Sequence, residues 1–502
     1  MVASTKANAR ALARMAARRT AAPAAAARMA AARRIVRARY DAAQTTDDNR
    51  RHWAAADNLS ADAAASPSVR RTLRNRARYE VANNTYARGM VLTLANDLVG
   101  TGPRLQMQTD DAELNALVER EFARWADAAG LAAKLRTMKA ARTQDGEAFA
   151  LLHTNERLPA PVKLDLRLIE ADQVATPNRP LVPQPGAVDG IRYDGDGNPT
   201  EYHVLRRHPG EMAGWTPQDG FDRLPAGSVI HWYRTDRPGQ RRGLPDIMPA
   251  LPLYALLRRF TLATLHAAET AAELAIVMKT IAGAEIDAAE VEPWITMEFE
   301  RNMGVFAPEG WEPSQLRAEH PSTTYGDFKR EIISEIARCL NLPYAVAAGD
   351  SSRHSYASGR LDHQTYFKSL RVERHDLELV ALEPFFQAWL REALWVREYR
   401  VFGEMARDDW RHAWFWDGRE HVDPAKEARA QAIKLATGGT TLAIEYARQG
   451  LDWEEQIKQR GRELALMREK GVETPAAVGA EAVLAVSMAD EPEAAPAAAA
   501  SN

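Results

Sequence analysis

The residues whose types and spacing could do chemistry are concentrated in GDSSRHSYASGRLDH, residues 349–363, where Asp350, Ser351, Ser352, His354, Ser358, Asp362 and His363 stand close together. Ser, His and Asp are the parts of a nucleophile–base–orienter relay. A Ser-dependent hydrolase centred on Ser351 or Ser358 with His354 is therefore one function open to this chain. The nucleophile-elbow pattern G-x-S-x-G is not met, because Arg353 stands where the second glycine is required. Nothing in the sequence orients a base, and the reading these residues favour is a capped turn, in which Ser and Asp side chains bond neighbouring backbone N–H groups. Asp194, Asp196 and Asn198 match the first ligands of a calcium loop, but Pro199 takes the sixth loop position and Leu205 the twelfth, so a tight turn is expected. Gly100 and Gly102 follow no evident strand and lack a third glycine, which fits a helix stop and not a dinucleotide cradle. There is no H-E-x-x-H and no G-x-x-x-x-G-K-[ST]. Cys339 is the only cysteine, which excludes a disulfide within the chain and a thiolate metal cluster. Neither a metal nor a cofactor is expected. Trp389, Trp395, Trp410, Trp414 and Trp416 could stack on bases, as in single-strand binders. Their spacing between charged residues favours core or subunit-interface anchors.

The element around which these residues must be arranged begins at VIHWY (Val229 to Tyr233), passes through the turn-rich RTDRPGQRRGLPDIMP, and enters the apolar run Leu253 to Lys279. Leu253, Leu257, Phe260, Thr264, Ala267, Ala271, Leu274 and Met278 recur at three- and four-residue intervals, one face of a helix. Pro249 and Pro252 suit its first turn and Gly283 its end. Ala267, Ala268, Ala271, Ala272 and Ala275 would let another helix approach closely, while Arg258, Arg259, His266, Glu269 and Glu273 exclude a membrane span. Upstream, Ser66 and Pro67 open a helix, and Glu113 to Arg142 reads as two helices with Phe122 and Trp125 turned inward. Asp145–Thr154 and Val162–Val174 alternate as half-buried strands do, and Ile191–Glu211 reads as two strands around a Gly/Asp/Asn turn. Downstream, Ala284 to Arg301 reads as a short helical excursion. Met303 to Thr324 carries Pro308, Gly310, Pro313 and Pro321, so neither helix nor strand should run through it. A structureless stretch of that length in a compact domain is usually functional. Phe328 to Leu340 is helical, with Ile332, Ile333, Ile336 and Leu340 on one face, and helices continue beyond it.

The 502 residues are 46% hydrophobic and 26% charged, ordinary composition for several domains. The net charge of −3 argues against a generic nucleic-acid coat, which would be basic. It leaves room for a passage through which DNA slides. Residues 1–40 are rich in Ala and Arg with no acid before Asp41. They read as a transit peptide, as a basic arm on nucleic acid, or as an arm lying on a neighbouring subunit. From Val472 the chain is Ala/Pro/Glu-rich, a composition that stays disordered.

Four segments in order carry a resemblance: RARYEVANNTYARGMVLTLANDLVGTGPRLQ, RPGQRRGLPDIMPAL, LNLPYAVAAGDSSRHSYASGRL, and VDPAKEA with the Gly-Gly-Thr-Thr turn and GLDWEE. Together they resemble the portal proteins of tailed phages, lambda-like family, over residues 66–470. Ser358 before Gly359 departs slightly from the third pattern. The resemblance implies an α+β fold, predominantly helical, a portal protomer with wing, stem, clip and crown regions. It divides the chain into a flexible basic arm (1–65), an α+β wing and body (66–243), a long stem helix with a small clip-like excursion (244–303), a tunnel loop and following helix (304–345), a helical crown (346–471) and a disordered tail (472–502). The implied function is a conduit for double-stranded DNA packaging and ejection at one capsid vertex, and not an enzyme. A nucleic-acid-binding protein using the basic arm is, with the hydrolase, the alternative. The implied partners are further copies in a dodecameric ring, double-stranded DNA, the terminase large subunit, head-tail connector proteins, and the major capsid and scaffolding proteins, without a membrane. The implied location is the virion, with the host cytoplasm during assembly. Glu312, Gln315, Arg317, His320 and Lys329 are then candidates for the DNA channel, and Ala267, Ala271, Ala275, Trp410 and Trp414 for the subunit interface.

Overall fold

The computed structural model describes residues 46, 47, 49–176, 186–211, 220–272, 276–280, 311–315, 322–352, 355–399, 410–418 and 424–472. The basic arm over residues 1–40, the excursion at Ala284–Arg301 and the tail beyond Val472 lie outside them. The chain divides into two units, Met1–Ser60 and Ala61–Asn502. The described part of the first is a run of turns, such as that closed by Arg50 N on Thr46 O at 3.0 Å.

The second unit opens with α1 (Ala61–Ala64) and α2 (Pro67–Asn83), whose first turn holds Pro67. Asn84 ends α2 and caps α3 (Thr85–Val99): its Oδ1 accepts from the N–H groups of Tyr86 and Ala87 at 3.0 and 3.3 Å. That double use explains the Asn-x-Tyr-Ala pattern, since a capping oxygen is needed where two helices abut. Gly100 stops α3 at φ +59, and β1 (Arg104–Met107) follows. Asp111 caps α4 (Ala112–Ala129), and left-handed Gly130 joins it to α5 (Leu131–Asp145). These are the two helices expected between Glu113 and Arg142, and Phe122 and Trp125 are buried as expected.

Strands β2 (Glu147–Thr154) and β3 (Leu164–Ile169), β4 (Ala187–Val188), β5 (Ile191–Tyr193), β6 (Pro199–Leu205), β7 (Phe221–Pro225) and β8 (Val229–Tyr233) form two antiparallel sheets, ordered β3-β2-β8 and β4-β5-β6-β7. The central strand β2 separates two cores by simple alternation. Ala148 and Ala150 face the large helical core with Ile230 and Trp232. Phe149 and Leu151 face a smaller core with Ile191, Tyr202 and Val204.

The long helix, α6, spans Leu251–Ala272, and not the expected Leu253 to Lys279. Ile276–Thr280 is instead a strand, β9, paired antiparallel with β10 (Trp311–Gln315). Ile276, Val277 and Thr280 are β-branched and favour a pleated backbone over a helix. The expectation that no strand runs through Met303 to Thr324 is also wrong. Pro313 sits opposite Met278 in a two-stranded ladder, where each strand is an edge and proline is tolerated. Helix α7 (Ser322–Cys339) starts earlier than Phe328, and α8 (Tyr344–Ala348) follows. Helix α9 (Tyr356–Leu377) runs through a π turn at Glu378–Leu382 into α10 (Glu383–Ala393). The region that the resemblance assigned to a helical crown also contains a strand, β11 (His412–Phe415), which pairs with β1 from Arg104↔Phe415 to Met107↔His412. Helices α11 (Pro424–Ala436), α12 (Leu442–Arg448) and α13 (Trp453–Glu469) complete the unit. Among the described residues the fold is therefore mixed helix and strand with helix dominant, and no helix is long and apolar enough to cross a membrane.

Candidate functional site

The Ser-rich segment is a pair of local caps. Asp350 Oδ1 accepts from Ser352 N at 3.0 Å. Ser355 opens α9 with a capping box, its Oγ accepting from Ser358 N at 3.2 Å while Ser358 Oγ accepts from Ser355 N at 3.1 Å. Ser351 is exposed, and His354 lies outside the described residues. The Asp194 segment is likewise a turn: Asp194 Oδ1 accepts from Asp196 N and Asn198 N at 3.0 and 2.8 Å, closing the β5–β6 hairpin. A third cluster, Glu170, Asp172 and His208, brings ligand-type atoms together. Its charge is already matched by Arg78, whose guanidinium lies 3.0 Å from each carboxylate.

The RPGQRRG segment builds the strongest constellation. Arg237 O accepts from Gln240 N at 3.1 Å across Pro238 and left-handed Gly239 (φ +78), a turn these two residue types favour. The buried Gln240 then closes the loop on itself. Its Oε1 accepts from Asp236 N at 3.0 Å, and its Nε2 donates to Arg242 O at 2.9 Å. Arg242 is thereby aimed at Glu147 at the start of β2, with Nε and Nη2 donating to the two carboxylate oxygens at 2.8 and 2.6 Å. Glu147 also accepts from Gly243 N at 3.2 Å, and His231 Nε2 lies 3.1 Å away. Arg74 of α2 approaches at 3.6 Å, and Arg70 pairs with Asp189. Burial works against ionisation of Glu147, but Arg242 and His231 hold its carboxyl well below the usual range. Burial pushes His231 down, against the pull of Glu147, and its ring stacks between Phe149 and Tyr233. A Cβ on Gly243 would collide with the carbonyl of Gly146, which explains the last glycine of the motif. This hub joins α2, both β-layers and the loop leading to α6. The sequence singled out the RPGQRRG segment but not Glu147, Arg74 or Asp189, which stand far from it in the chain.

Helix α6 presents the expected face: Leu257 is buried and Leu253, Phe260, Thr264 and Ala267 are partly so. Phe260 packs on Tyr325 and Phe328 of α7. Ala271 lies on α6, and Ala275 lies outside the described residues. Away from that face, at different positions around the helix, Leu256, Leu262 and Leu265 are exposed at 55%, 51% and 55%. Glu312 and Gln315 lie on β10 opposite Lys279 and Ile276, while Arg317 and His320 fall outside the described residues. Lys329 is held over the rings of Tyr86 and Tyr325 at 5.2 and 5.6 Å, tying α7 to α3. Trp410 and Trp414 are partly buried against the large core, Trp414 against Phe122 and Phe386. Trp389 and Trp416 are core residues, and Trp395 is 90% exposed.

Fold and hub together define a scaffold in which a charge-locked loop aims a long, partly apolar helix. The chain belongs to the lambda family of phage portal proteins, whose model matches residues 46–374. It is similar to the probable portal protein of Halomonas phage phiHAP-1, 23% identical over 438 residues and covering 80% of this chain and 82% of that protein. It is 25% identical to the portal protein of Escherichia phage N15 over 489 residues, covering 86% and 91%. Among solved structures, a chain from the virion of a native gene transfer agent particle aligns with a TM-score of 0.42 and 13% identity, covering 75% of this chain and 92% of that one.

Proposed function

We propose that copies of this chain close into a dodecameric ring at one capsid vertex, through which double-stranded DNA is packaged and ejected. The observation that carries the reading is the family match over residues 46–374, which takes in the hub, α6 and α7. In this reading the two sheets with α2–α5 are the wing, α6 the stem, β9 part of the clip, and α9–α13 the crown. The ring is a scaffold and not an enzyme. The chain has no P-loop, so the energy for DNA movement comes from a partner, the terminase large subunit docking on the ring. Connector, capsid and scaffolding proteins dock on its other faces. The segment Met303 to Thr324, with Glu312, Gln315, Arg317 and His320, borders the channel and grips DNA by shape. Dense cationic contacts would add salt-sensitive affinity and slow sliding. Lys329 faces its own chain's rings and contributes rigidity more than DNA contact. Ala267, Ala271, Ala275, Trp410 and Trp414 lie near the subunit interface. Deleting Gln315 to His320 should leave rings assembling and impair DNA packaging or retention. Unimpaired packaging by that deletion contradicts the channel assignment.

A further inference from the structure

The geometry points to a phosphate-binding site within one subunit, in the cleft where α5, the 234–246 loop, α7 and α9 meet. The cleft encloses about 430 Å³, within the roughly 300–1,000 Å³ usual for small-ligand pockets. Its floor holds Lys139 and Arg142, both buried, and Arg234. Lys139 pairs with Glu373, and Arg142 Nη1 lies 2.8 Å from the same carboxylate. Asp246 stands 3.8 Å from Lys139 and 3.0 Å from Arg234. Three cations thus face two carboxylates on the floor. Arg338, Lys368 and Asp376 also line the cleft, and Arg338 Nη1 donates to Asn341 Oδ1 at 3.0 Å.

The lining carries two more positive charges than negative, which disfavours a metal ion and matches a phosphate of charge about −1.5 to −2. Arg142 Nε is buried without a hydrogen-bond partner among the described residues. The Arg142 guanidinium lies 4.6 Å from the Trp232 ring, which fixes its plane. Leu94 and Leu370 form an apolar wall beside the cations, leaving room for the organic part of a phosphate ester.

Cys339 lines the same cleft, its thiol donating to Asp246 O at 3.3 Å. As the chain's only cysteine, it reports occupancy through its rate of labelling by a maleimide. Inorganic phosphate should slow labelling saturably, about tenfold at ten times its half-saturation concentration. Potassium chloride at matched ionic strength should not. Arg338→Gln and Lys368→Gln should each raise the half-saturation concentration several-fold while leaving the phosphate-free melting temperature unchanged. A second arm uses duplex DNA at equal total phosphate. Protection by duplex alone assigns the phosphate to a DNA backbone, and protection by inorganic phosphate alone assigns it to a free small anion. No protection by either, equal protection by chloride, or unaltered protection in both variants overturns the site. The cleft lies within one subunit, so this test is independent of whether the chain forms rings.

Discussion

Glu147 and Arg242 form the pair on which the hub depends, and both are buried. Removing one member leaves the other charged and without its principal partner. Glu147→Ala should therefore destabilise the chain by about 3–5 kcal/mol, seen as a large fall in the denaturation midpoint; a loss below about 1 kcal/mol would show that the pair is replaceable. Protons act on this hub with a definite sign. The folded His231 has its pKa below the ordinary 6.5, so below that pH the unfolded chain takes up a proton that the folded chain refuses. Glu147, depressed below 4.5, loses stability over a still more acidic range. Glu119 acts in the opposite direction. Burial, with the nearby Asp452 that caps α13 and Glu455 and Glu454 in its first turn, pushes it up to about 7, against the bond it accepts from Met107 N. Between about pH 4.5 and 7 the folded chain holds a proton there that the unfolded chain has lost, so this contribution to stability fades as pH rises. Glu119→Gln should remove that part of the slope. Melting temperatures of wild type and variant from pH 5 to 8 decide it: parallel curves would rule out titration of Glu119 in this window. None of these partners was legible in the sequence, because Arg242 and Glu147 stand 95 positions apart. The caps at Asp194 and Ser355 were legible because their bonds are local.

At the scale of elements, the strands β2, β3, β5, β6 and β8 and the helices α4 and α5 followed from alternation, turn residues and three- and four-residue spacing, which burial on one face imposes, whereas β1, β4 and β7 did not. The end of α6 did not. Leu274 and Met278 keep the helical period, yet Ile276–Thr280 is paired as a strand with a segment whose prolines appeared to forbid one. Periodicity cannot register a partner more than thirty residues away. The exposed leucines of α6 carry an element-scale prediction. In the ring account they are covered by a neighbouring copy, each full burial contributing about 1.5–3 kcal/mol. Leu262→Glu should sharply reduce the fraction of ring while leaving the single subunit's melting temperature within the range of a surface substitution, about ±0.5 kcal/mol. Size-exclusion chromatography with light scattering would read both species; undiminished rings in the variant would place the interface elsewhere.

The second unit combines a buried charged hub with a helix, α6, on which Leu256, Leu262 and Leu265 are exposed. That combination suits a head-to-tail interface, which repeats until rotation closes it. A hydrolase or a one-subunit binder has no such requirement, so oligomeric mass separates the readings more sharply than any activity assay. Native mass spectrometry of the purified full chain across micromolar concentrations is the most direct test. The account predicts one large closed assembly with an integral copy number, expected at about twelve. Monomers alone throughout that range would contradict it.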